Sequence, residues 1–513
     1  MNDKTQTAAL IETTAPAPIV SRIAKIGLSD YRAFPSGQTY EFDLSATGKN
    51  LLLFGENGSG KTSLFRALRD LASLNPGPNS FTDLRNIFAP GEEGFLSVQL
   101  TAGMPSEFRW DYGDEHPRKT AGQPYASMAD RCRFLDYRAL LKTNFIHGAD
   151  TPNLFDLLIR EVLKDLPVIV SGRLERLGEV YERMIASDPG TYQGKRKLEA
   201  MDQACAEFNA ALTNHLPEVV GEGNRLTAKL GYDGLSFALT HQPVSYDLKT
   251  RKFISQEIML SVKLFGKPID QPQLFLNEAR LTALALAIYL GAAKLVLKSP
   301  SAGADGTIMA RLLVLDDVLI GLDLANRIPV LKIINDEFSD WQIILMTYDR
   351  VWFELAREYT ENTARWIYFN LREMPTTPGQ PGRPCIEPCP DFLVCAEKHF
   401  QSGDLMAAAV YIRAAFETRL KNVCEKHGIK INFKPNPKDV KTDQLWQGII
   451  DRQKERHAES KADFIPLSLM NEVESVRSTI LNRLSHSGTP GLVTREVQFA
   501  LETVRKLQRY QFK

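Results

Sequence analysis

The nine residues GENGSGKTS, from Gly55 to Ser63, carry the clearest chemical signal in this sequence of 513 residues. Gly55, followed after four residues by Gly60, Lys61 and Thr62, fits the pattern of a phosphate-binding loop without a mismatch. The glycines let several backbone N–H groups point inward at phosphate oxygens. Lys61 supplies a cation to the β- and γ-phosphates, and Thr62 supplies a hydroxyl to Mg²⁺. The sequence therefore predicts a site for a nucleoside triphosphate.

The flanking residues support this interpretation of the loop. The apolar run Leu51–Phe54 predicts a buried strand before it, and the apolar spacing from Lys61 to Leu74 predicts a helix after it. A helix that begins at the loop directs its positive end at the same anions. The residues predicted to contact the nucleotide from the loop are Gly55, Asn57, Gly58, Ser59, Gly60, Lys61, Thr62 and Ser63.

A second chemical motif, RLLVLDD, runs from Arg311 to Asp317. Its four apolar residues predict a buried strand, and the two carboxylates then lie at the carboxyl end of that strand. Such a position suits a Mg²⁺ ligand and a general base for an attacking water. We therefore predict that Asp316 binds the metal, together with Thr62, and that Asp317 is the base.

About 250 residues separate Lys61 from Asp316, and this long spacing carries the first family resemblance. Residues 20–372 resemble the ABC/SMC/RecF-type ATPases. In this sequence the resemblance depends on Tyr31-Arg32, a signature-like turn at Asn277–Arg280, a D-loop-like Gly321–Asp323, and Met346–Arg350 in the place of the switch after the last strand.

The resemblance implies a nucleotide sandwich between two copies of the chain, with ATP and Mg²⁺ as cofactors. Arg32 would contact the nucleotide, and Asn277 and Glu278 of one copy would complete the site of the other. The turn lacks the family's glycine pair, and Tyr348 occupies the position of the switch histidine. No glutamine marks a Q-loop, although Asp136–Arg138 lies near the expected place. These departures imply slow or gated hydrolysis.

The predicted fold class is α/β, an ABC-type P-loop ATPase with an inserted helical lobe, followed by a mostly α-helical C-terminal domain. Strand-like runs of 4 to 8 residues and helical periodicity set the boundaries. They are a disordered tail over 1–18, the ATPase domain over 19–145 and 226–372, the inserted lobe over 146–225, a Pro-rich linker over 373–390, and the helical domain over 391–513.

The C-terminal region carries weaker chemical signals. Arg413 and Glu417 are four residues apart on a predicted helix, and His486 follows another one. This arrangement resembles the PrrC/RloC anticodon nucleases, whose HEPN-like module is metal-free. The resemblance implies that Glu417 or His486 is an acid or base and that Arg413 stabilises the phosphorane. The alternative is a surface ion pair on a bland helical module.

Two further features of the C-terminal region have open interpretations. Lysines recur between Lys421 and Lys441, and this run is either a contact for RNA or DNA phosphates or a solvated face. Cys385, Cys389 and Cys395 lack a second pair at zinc spacing, so they are a poor metal site.

Composition limits the class of protein. Lys and Arg together number 62, as do Asp and Glu, so the formal net charge is zero and no global field favours nucleic acid or membrane. The six cysteines are too sparse for a disulfide framework. No apolar stretch has the length of a membrane span. We expect a cytoplasmic protein without a membrane partner.

Three functions remain open at this stage. The first is an ATPase of a bacterial anti-phage defence system, acting as a nucleotide-gated sensor or scaffold that holds or activates a partner nuclease or toxin. The second is a self-contained, anticodon-nuclease-like effector that uses Arg413, Glu417 and His486. The third is a RecF-like DNA-repair ATPase. All three share the homodimer, or a higher homo-oligomer, that the nucleotide sandwich implies.

Overall fold

The computed structural model describes residues 19–72, 81–88, 91–117, 131–144, 153–164, 166–190, 194–296, 307–361, 363–376, 381–388, 392–430, 442–477 and 493–512. The chain divides into two compact units, residues 1–388 (unit 1) and 389–513 (unit 2). The predicted tail over 1–18 lies outside the described residues.

Unit 1 mixes strands and helices. Its described strands are β1 Ile19–Ser21, β2 Ile23–Ser29, β3 Tyr40–Asp43, β4 Asn50–Gly55, β5 Phe95–Leu100, β6 Glu107–Asp111, β7 Cys132–Asp136, β8 Pro167–Val170, β9 Arg173–Arg176, β10 Leu235–His241, β11 Ser245–Asp247, β12 Lys252–Ile254, β13 Ile258–Leu264, β14 Lys267–Ile269, β15 Thr307–Met309, β16 Arg311–Asp316, β17 Trp341–Thr347, β18 Trp366–Met374 and β19 Arg383–Pro388. Its described α-helices are α1 Lys61–Leu71, α2 Tyr137–Asn144, α3 Leu177–Ala186, α4 Lys195–Lys229, α5 Pro272–Phe275, α6 Glu278–Val296, α7 Leu324–Glu337 and α8 Arg350–Glu361.

Within the described residues, the central sheet has the strand order β19-β18-β4-β17-β16-β7. All of its neighbouring pairs are parallel except β18 with β19. The strands β4 and β17 are buried along their whole length, which explains the apolar runs Leu51–Phe54 and Ile343–Met346 within them. Because parallel strands share an edge for their carboxyl ends, the residues that follow β4, β7, β16 and β17 meet on one side of the sheet.

A second, antiparallel sheet with the order β3-β2-β5-β6 packs into the same apolar core as the central sheet. One buried amide joins the two sheets. The side-chain oxygen of Gln342, on β17, accepts from the Ile23 N–H at 2.8 Å, and its nitrogen donates to the carbonyls of Ile23 at 2.8 Å and Lys49 at 3.1 Å. This side chain thereby satisfies backbone groups where the antiparallel sheet meets the central one.

The inserted lobe is less helical than the sequence predicts. The long helix α4 confirms the helix that the apolar spacing between Leu198 and Leu212 predicts. The predicted break at Asp188–Gly190 lies between α3 and α4. However, β8 and β9 form an antiparallel pair inside the lobe, and Asp156–Val162 form a π-helical segment. The pair β8–β9 is too short to show strand periodicity against its helical neighbours.

The Pro-rich segment is only partly the extended connector that the sequence predicts. Arg383–Pro388 form β19, which pairs with β18 at the edge of the central sheet. Composition suggested a free linker because proline removes a backbone donor. An edge strand needs donors on one side only, so it tolerates Pro384 and Pro388.

Every regular element described in unit 2 is a helix, and the unit has its own apolar core. The helices are α9 Phe392–Gln401, α10 Leu405–Lys426, α11 Thr442–Ala458, α12 Leu467–Val476 and α13 Thr494–Arg509. The Asp404 carboxylate caps α10 by accepting from the Ala407 N–H at 3.0 Å. The guanidinium of Arg419 donates to the carbonyls of Leu507 and Tyr510, and so ties α10 to the end of α13.

The structure confirms the α/β class, with a largely parallel central sheet, and the mostly α-helical C-terminal unit that the sequence predicts. Among the described helices, none has both the length and the apolar character that crossing a bilayer requires.

Replacing Gln342 by leucine tests the joint between the two sheets. Gln342→Leu leaves the N–H and C=O of Ile23 buried without their partner, and we expect a loss of about 2 to 4 kcal/mol in the free energy of unfolding. Chemical denaturation of the full chain measures it. Gln203→Leu, at an exposed position of α4, is the matched control. A loss no greater than that of the control would contradict the assignment.

Candidate active site

The phosphate-binding loop has the backbone that its glycines require. Gly58 and Gly60 have φ angles of 88° and 110°, in the region that favours glycine. A Cβ on Gly55 would lie 2.6 Å from the Ser59 Oγ and 2.8 Å from the Lys61 Cγ. The first turn of α1 begins at Lys61, so its free N–H groups face the loop. The geometry is that of an anion cradle.

The structure brings together the two motifs that lie far apart in sequence. The strand β4, before the loop, and β16, before the two acids, are separated in the sheet only by β17. The Thr62 Oγ1 donates to the Asp316 Oδ2 at 2.9 Å. The Lys61 Nζ lies 3.8 Å from the Asp317 Oδ2. Hydroxyl, ammonium and both carboxylates therefore form one cluster.

The ammonium of Lys61 is held by the loop itself. It donates to the carbonyl oxygens of Gly55 at 2.6 Å and Glu56 at 3.2 Å. Only 5% of Lys61 is exposed. A buried ammonium is costly unless it is paired. The two carbonyls and the carboxylate of Asp317 supply that pairing, and they fix the cation at the mouth of the loop.

Asp316 is the more buried of the two acids, with 1% exposure. Burial raises the pKa of its carboxyl to about 6, opposed by the hydrogen bond from Thr62, while the charges of Asp317 and Asp136 push the pKa the same way as burial. Its Oδ1 is buried and has no hydrogen-bond partner among the described residues. A hard cation prefers such an oxygen ligand. The donors Thr62 and Asp316 therefore fit Mg²⁺.

Asp317 has an unusual backbone conformation, with a φ angle of 55°. Aspartate tolerates this left-handed region better than most residues. The Asp317 Oδ1 accepts from the backbone N–H of Tyr348 at 2.9 Å. Burial raises the pKa of the Asp317 carboxyl, and the nearby Lys61 charge opposes the rise. The carboxylate is thus fixed from both sides.

Tyr348 contributes to this arrangement through its backbone. Its N–H holds Asp317, while its side chain is 41% exposed. The next residue, Asp349, caps α8 by accepting from the Trp352 N–H, and its other oxygen pairs with Arg327 at 2.6 Å. These contacts of Asp349 hold the backbone after β17 in place, and they thereby position the N–H of Tyr348.

Asp136 is a third acid near the cluster that the sequence-predicted site does not include. Asp136 is the last residue of β7, and it is paired with Asp316 on the neighbouring strand β16. One oxygen caps α2 by accepting from the Ala139 N–H at 2.8 Å. The apolar pair Phe134–Leu135 before it, and the place of Asp136 near the expected Q-loop glutamine, are the signals in the sequence that could have found it.

Asn277 and Glu278, which the sequence predicts to complete the nucleotide site, are far from the loop in sequence and lie at the start of α6. Asn277 precedes α6, and its Oδ1 accepts from the Arg280 N–H at 3.0 Å. A Cβ on Gly321 would lie 3.3 Å from Glu278 side-chain atoms, so the D-loop-like turn packs on the start of α6. Both predicted residues are exposed.

Arg32 lies in the turn after β2, with a φ angle of 48°. Its Nε donates to the Tyr31 hydroxyl at 3.0 Å, and its Nη2 lies 3.6 Å from Asp70. Its carbonyl accepts from the Asn86 side chain at 2.5 Å. These contacts fix Arg32 beside α1, which carries Asp70.

The C-terminal residues form an ordinary ion pair. The Arg413 Nε donates to the Glu417 Oε1 at 2.9 Å, and the Thr442 hydroxyl donates to the same oxygen at 2.7 Å. Both charged side chains are about one third exposed. His486 lies outside the described residues, as does the part of the lysine run beyond residue 430. Cys389, of the cysteine group, is also outside them.

Comparison with known proteins adds structural neighbours. The SMC head domain with an extended coiled coil, bound to the C-terminal domain of ScpA from Pyrococcus furiosus, is 13% identical and covers 75% of this chain and 99% of its own, with a TM-score of 0.41. RecF with ATPrS is 13% identical over 69% of this chain and 96% of its own, with a TM-score of 0.39.

The SMC head domain from Thermotoga maritima is 15% identical and covers 72% of this chain and 99% of its own, with a TM-score of 0.32. At identities of 13 to 15% and TM-scores of 0.32 to 0.41, these likenesses carry no conclusion about the activity of this chain. No protein-family model matches the chain, and no curated protein matches it.

Asp316→Asn tests the buried acid. The folded-state pKa of about 6 exceeds 3.8, the ordinary pKa of an aspartate carboxyl, so ionisation destabilises the fold above pH 6, and this cost shrinks as the pH falls toward 3.8. We expect a melting temperature about 2 °C or more above wild type at pH 8 in EDTA, with a smaller gain at pH 5.

The matched control is Asp233→Asn, at an exposed carboxylate. Differential scanning fluorimetry of the full chain measures both variants. A melting temperature of Asp316→Asn that falls below that of the control at pH 8 would show that the charge stabilises the fold.

Proposed function

We propose that the chain binds and hydrolyses ATP at the cluster formed by Lys61, Thr62, Asp316 and Asp317. The observation that carries the proposal is the hydrogen bond between Thr62 and Asp316, which are 254 positions apart in the sequence. A hydroxyl at the start of a helix suits a magnesium ion beside a triphosphate, and so does a buried carboxylate, one oxygen of which has no hydrogen-bond partner within the described ranges.

The loop binds the substrate through its backbone and Lys61. The residues that would surround the phosphates are Gly55, Asn57, Gly58, Ser59, Gly60, Lys61, Thr62 and Ser63. The Ser59 Oγ, buried and without a hydrogen-bond partner among the described residues, fits an acceptor brought by the ligand. Thr62 and Asp316 would hold Mg²⁺, which neutralises charge on the phosphates when bound.

Asp317 is the proposed base for hydrolysis. The Tyr348 N–H and the Lys61 ammonium fix its carboxylate beside the loop. From there it orients a water for attack on the terminal phosphate and accepts the proton of that water. The lysine stabilises charge on the phosphate oxygens. Asp317 therefore positions the nucleophile, and Lys61 balances the charge.

The site is completed by a second copy of the chain in this proposal. Asn277 and Glu278 are exposed at the start of α6, where free backbone N–H groups suit an anion. Binding of ATP between the loop of one copy and this turn of its partner would close a homodimer. Hydrolysis would open it, because the shared ligand is lost.

The wider role follows the sequence resemblance. We propose a nucleotide-gated sensor or scaffold of bacterial anti-phage defence, in which the separately packed unit 2 holds or activates a partner effector. The self-contained nuclease with Arg413, Glu417 and His486, and the RecF-like repair ATPase, stay alternative predictions. A cytoplasmic location belongs to the same proposal.

Two variants test the proposed hydrolysis. Lys61→Ala removes the cation of the loop, so we expect ATP affinity to fall at least about tenfold. Asp317→Asn keeps the shape but removes the base, so we expect turnover to fall about 100-fold or more with ATP binding retained. Phosphate release and equilibrium binding measure the two effects. Turnover at the wild-type level in Lys61→Ala would reject the assigned site.

The variant Tyr348→Phe tests whether Tyr348 acts through its backbone N–H or through its hydroxyl. The N–H that holds Asp317 remains in this variant, so we expect turnover within about threefold of wild type. The same phosphate-release assay measures it. A loss as large as that of Asp317→Asn would mean that the exposed hydroxyl takes part in the reaction.

A further inference from the structure

Arg327 joins two segments of the chain that follow the central strands β16 and β17. It lies in the first turn of α7, soon after the D-loop-like turn Gly321–Asp323. Its Nε donates to the carbonyl of Leu322 at 2.7 Å, and its Nη1 donates to the Asp349 Oδ2 at 2.6 Å. A guanidinium presents its donors in a rigid fork, so this one side chain holds a carbonyl and a carboxylate in a fixed relation.

The pair of Arg327 and Asp349 is largely shielded from water. The side chain of Arg327 is 11% exposed, and its guanidinium carbon lies 5.9 Å from the centre of the buried Trp352 ring. Burial raises the pKa of the Asp349 carboxyl, but the Trp352 N–H and the Arg327 guanidinium outweigh burial and hold this pKa below its ordinary value. The carboxylate of Asp349 therefore stays charged and bound to both donors.

Asp349 is fixed through its backbone as well as its side chain. Its N–H donates to the Thr347 Oγ1 at 3.1 Å, and its Oδ1 accepts from the Trp352 N–H at 3.0 Å. Tyr348 lies between these two anchored residues, so its peptide group has little freedom to move. The N–H of Tyr348 then donates to the Asp317 Oδ1 at 2.9 Å. A continuous series of contacts thus runs from Arg327 to Asp317.

The carboxylate of Asp317 depends on this series. In the part of the chain that the structure describes, the Tyr348 N–H is the one group that hydrogen-bonds it, and the Lys61 Nζ lies farther away, at 3.8 Å. The backbone of Asp317 has a φ angle of 55°, which few residues adopt without support. A small shift of the Tyr348 N–H would therefore move the carboxylate.

We propose that Arg327 is a positioning residue for hydrolysis, which sets the place of the Asp317 carboxylate through Asp349 and the Tyr348 N–H. The inference rests on the proposed function, because Asp317 must be the base. Within the described residues, the hydrogen bonds of Arg327 go to Leu322 and Asp349, and none goes to the phosphate-binding loop. Loss of Arg327 should therefore slow the reaction and leave ATP binding intact.

The first test measures kcat, KM and the affinity for ATP with Mg²⁺ in the full chain. Arg327→Gln removes the charge and the fork, so kcat should fall about tenfold, with KM and ATP affinity within about threefold of wild type. Arg327→Lys keeps a charge for Asp349, so its kcat should lie between the two. The matched control is Lys332→Gln, at an exposed position of the same helix, which should change none of these quantities.

The second test combines Arg327→Gln with Asp317→Asn. Once the base is gone, its position no longer matters, so Arg327→Gln should lower the residual turnover by less than about twofold. A merely structural role would lower turnover by the same factor in both backgrounds. Should Arg327→Gln not fold, Asp349→Asn replaces it in both tests, because it removes the ion pair and keeps an acceptor for the Trp352 N–H.

The outcomes separate this inference from the proposed function. If Asp317→Asn keeps wild-type turnover, Asp317 is not the base and the proposed function is itself wrong. If Asp317→Asn loses turnover as expected but Arg327→Gln matches Lys332→Gln, the positioning role alone is overturned. Equal factors in the two backgrounds, or a fall in ATP affinity as large as the fall in kcat, would overturn it too.

Discussion

The structure of the site depends on placing one buried and one half-buried carboxylate beside a buried ammonium. Asp316 and Asp317 follow each other at the end of β16, and Lys61 and Thr62 face them from the start of α1. Two like charges that are close together and largely shielded from water destabilise each other. Lys61 offsets part of that cost. The Oδ1 of Asp316, which has no hydrogen-bond partner in the part of the chain that the structure describes, could bind a divalent cation that offsets the rest. This Oδ1 of Asp316 is therefore the strongest structural reason to expect a metal ion at the site.

The order of the sheet makes this cluster possible. Placing β17 between β4 and β16 lets the residue after β17 reach the acid after β16, so Tyr348 holds Asp317 with its backbone N–H. Asp136, at the end of the neighbouring β7, adds a third acid beside the first two. The antiparallel sheet is fixed to the same framework through Gln342 and supplies the turn that carries Arg32. The site is thus assembled from strand ends, whose positions the sheet fixes.

Local patterns in the sequence could predict the parts of this site that are set by short motifs. The loop residues, the paired acids and the apolar strands β4, β16 and β17 all have signals within ten residues. Pairings between distant segments have no such signal. Part of the Pro-rich stretch forms β19 because it can pair with the edge of β18. The strands β8 and β9 likewise pair inside a segment whose composition predicts helix. The backbone role of Tyr348 depends on the left-handed turn at Asp317, which residue types alone do not reveal.

The central claim is that Thr62 and Asp316 act together on one magnesium nucleotide. A double-mutant cycle with Thr62→Val and Asp316→Asn, read as the affinity for ATP in the presence of Mg²⁺, tests it most directly. Residues that share a bound ion are coupled, so the account predicts an interaction energy of about 1 kcal/mol or more. Effects that add within about 0.5 kcal/mol would show that the two side chains act independently, and would contradict the account.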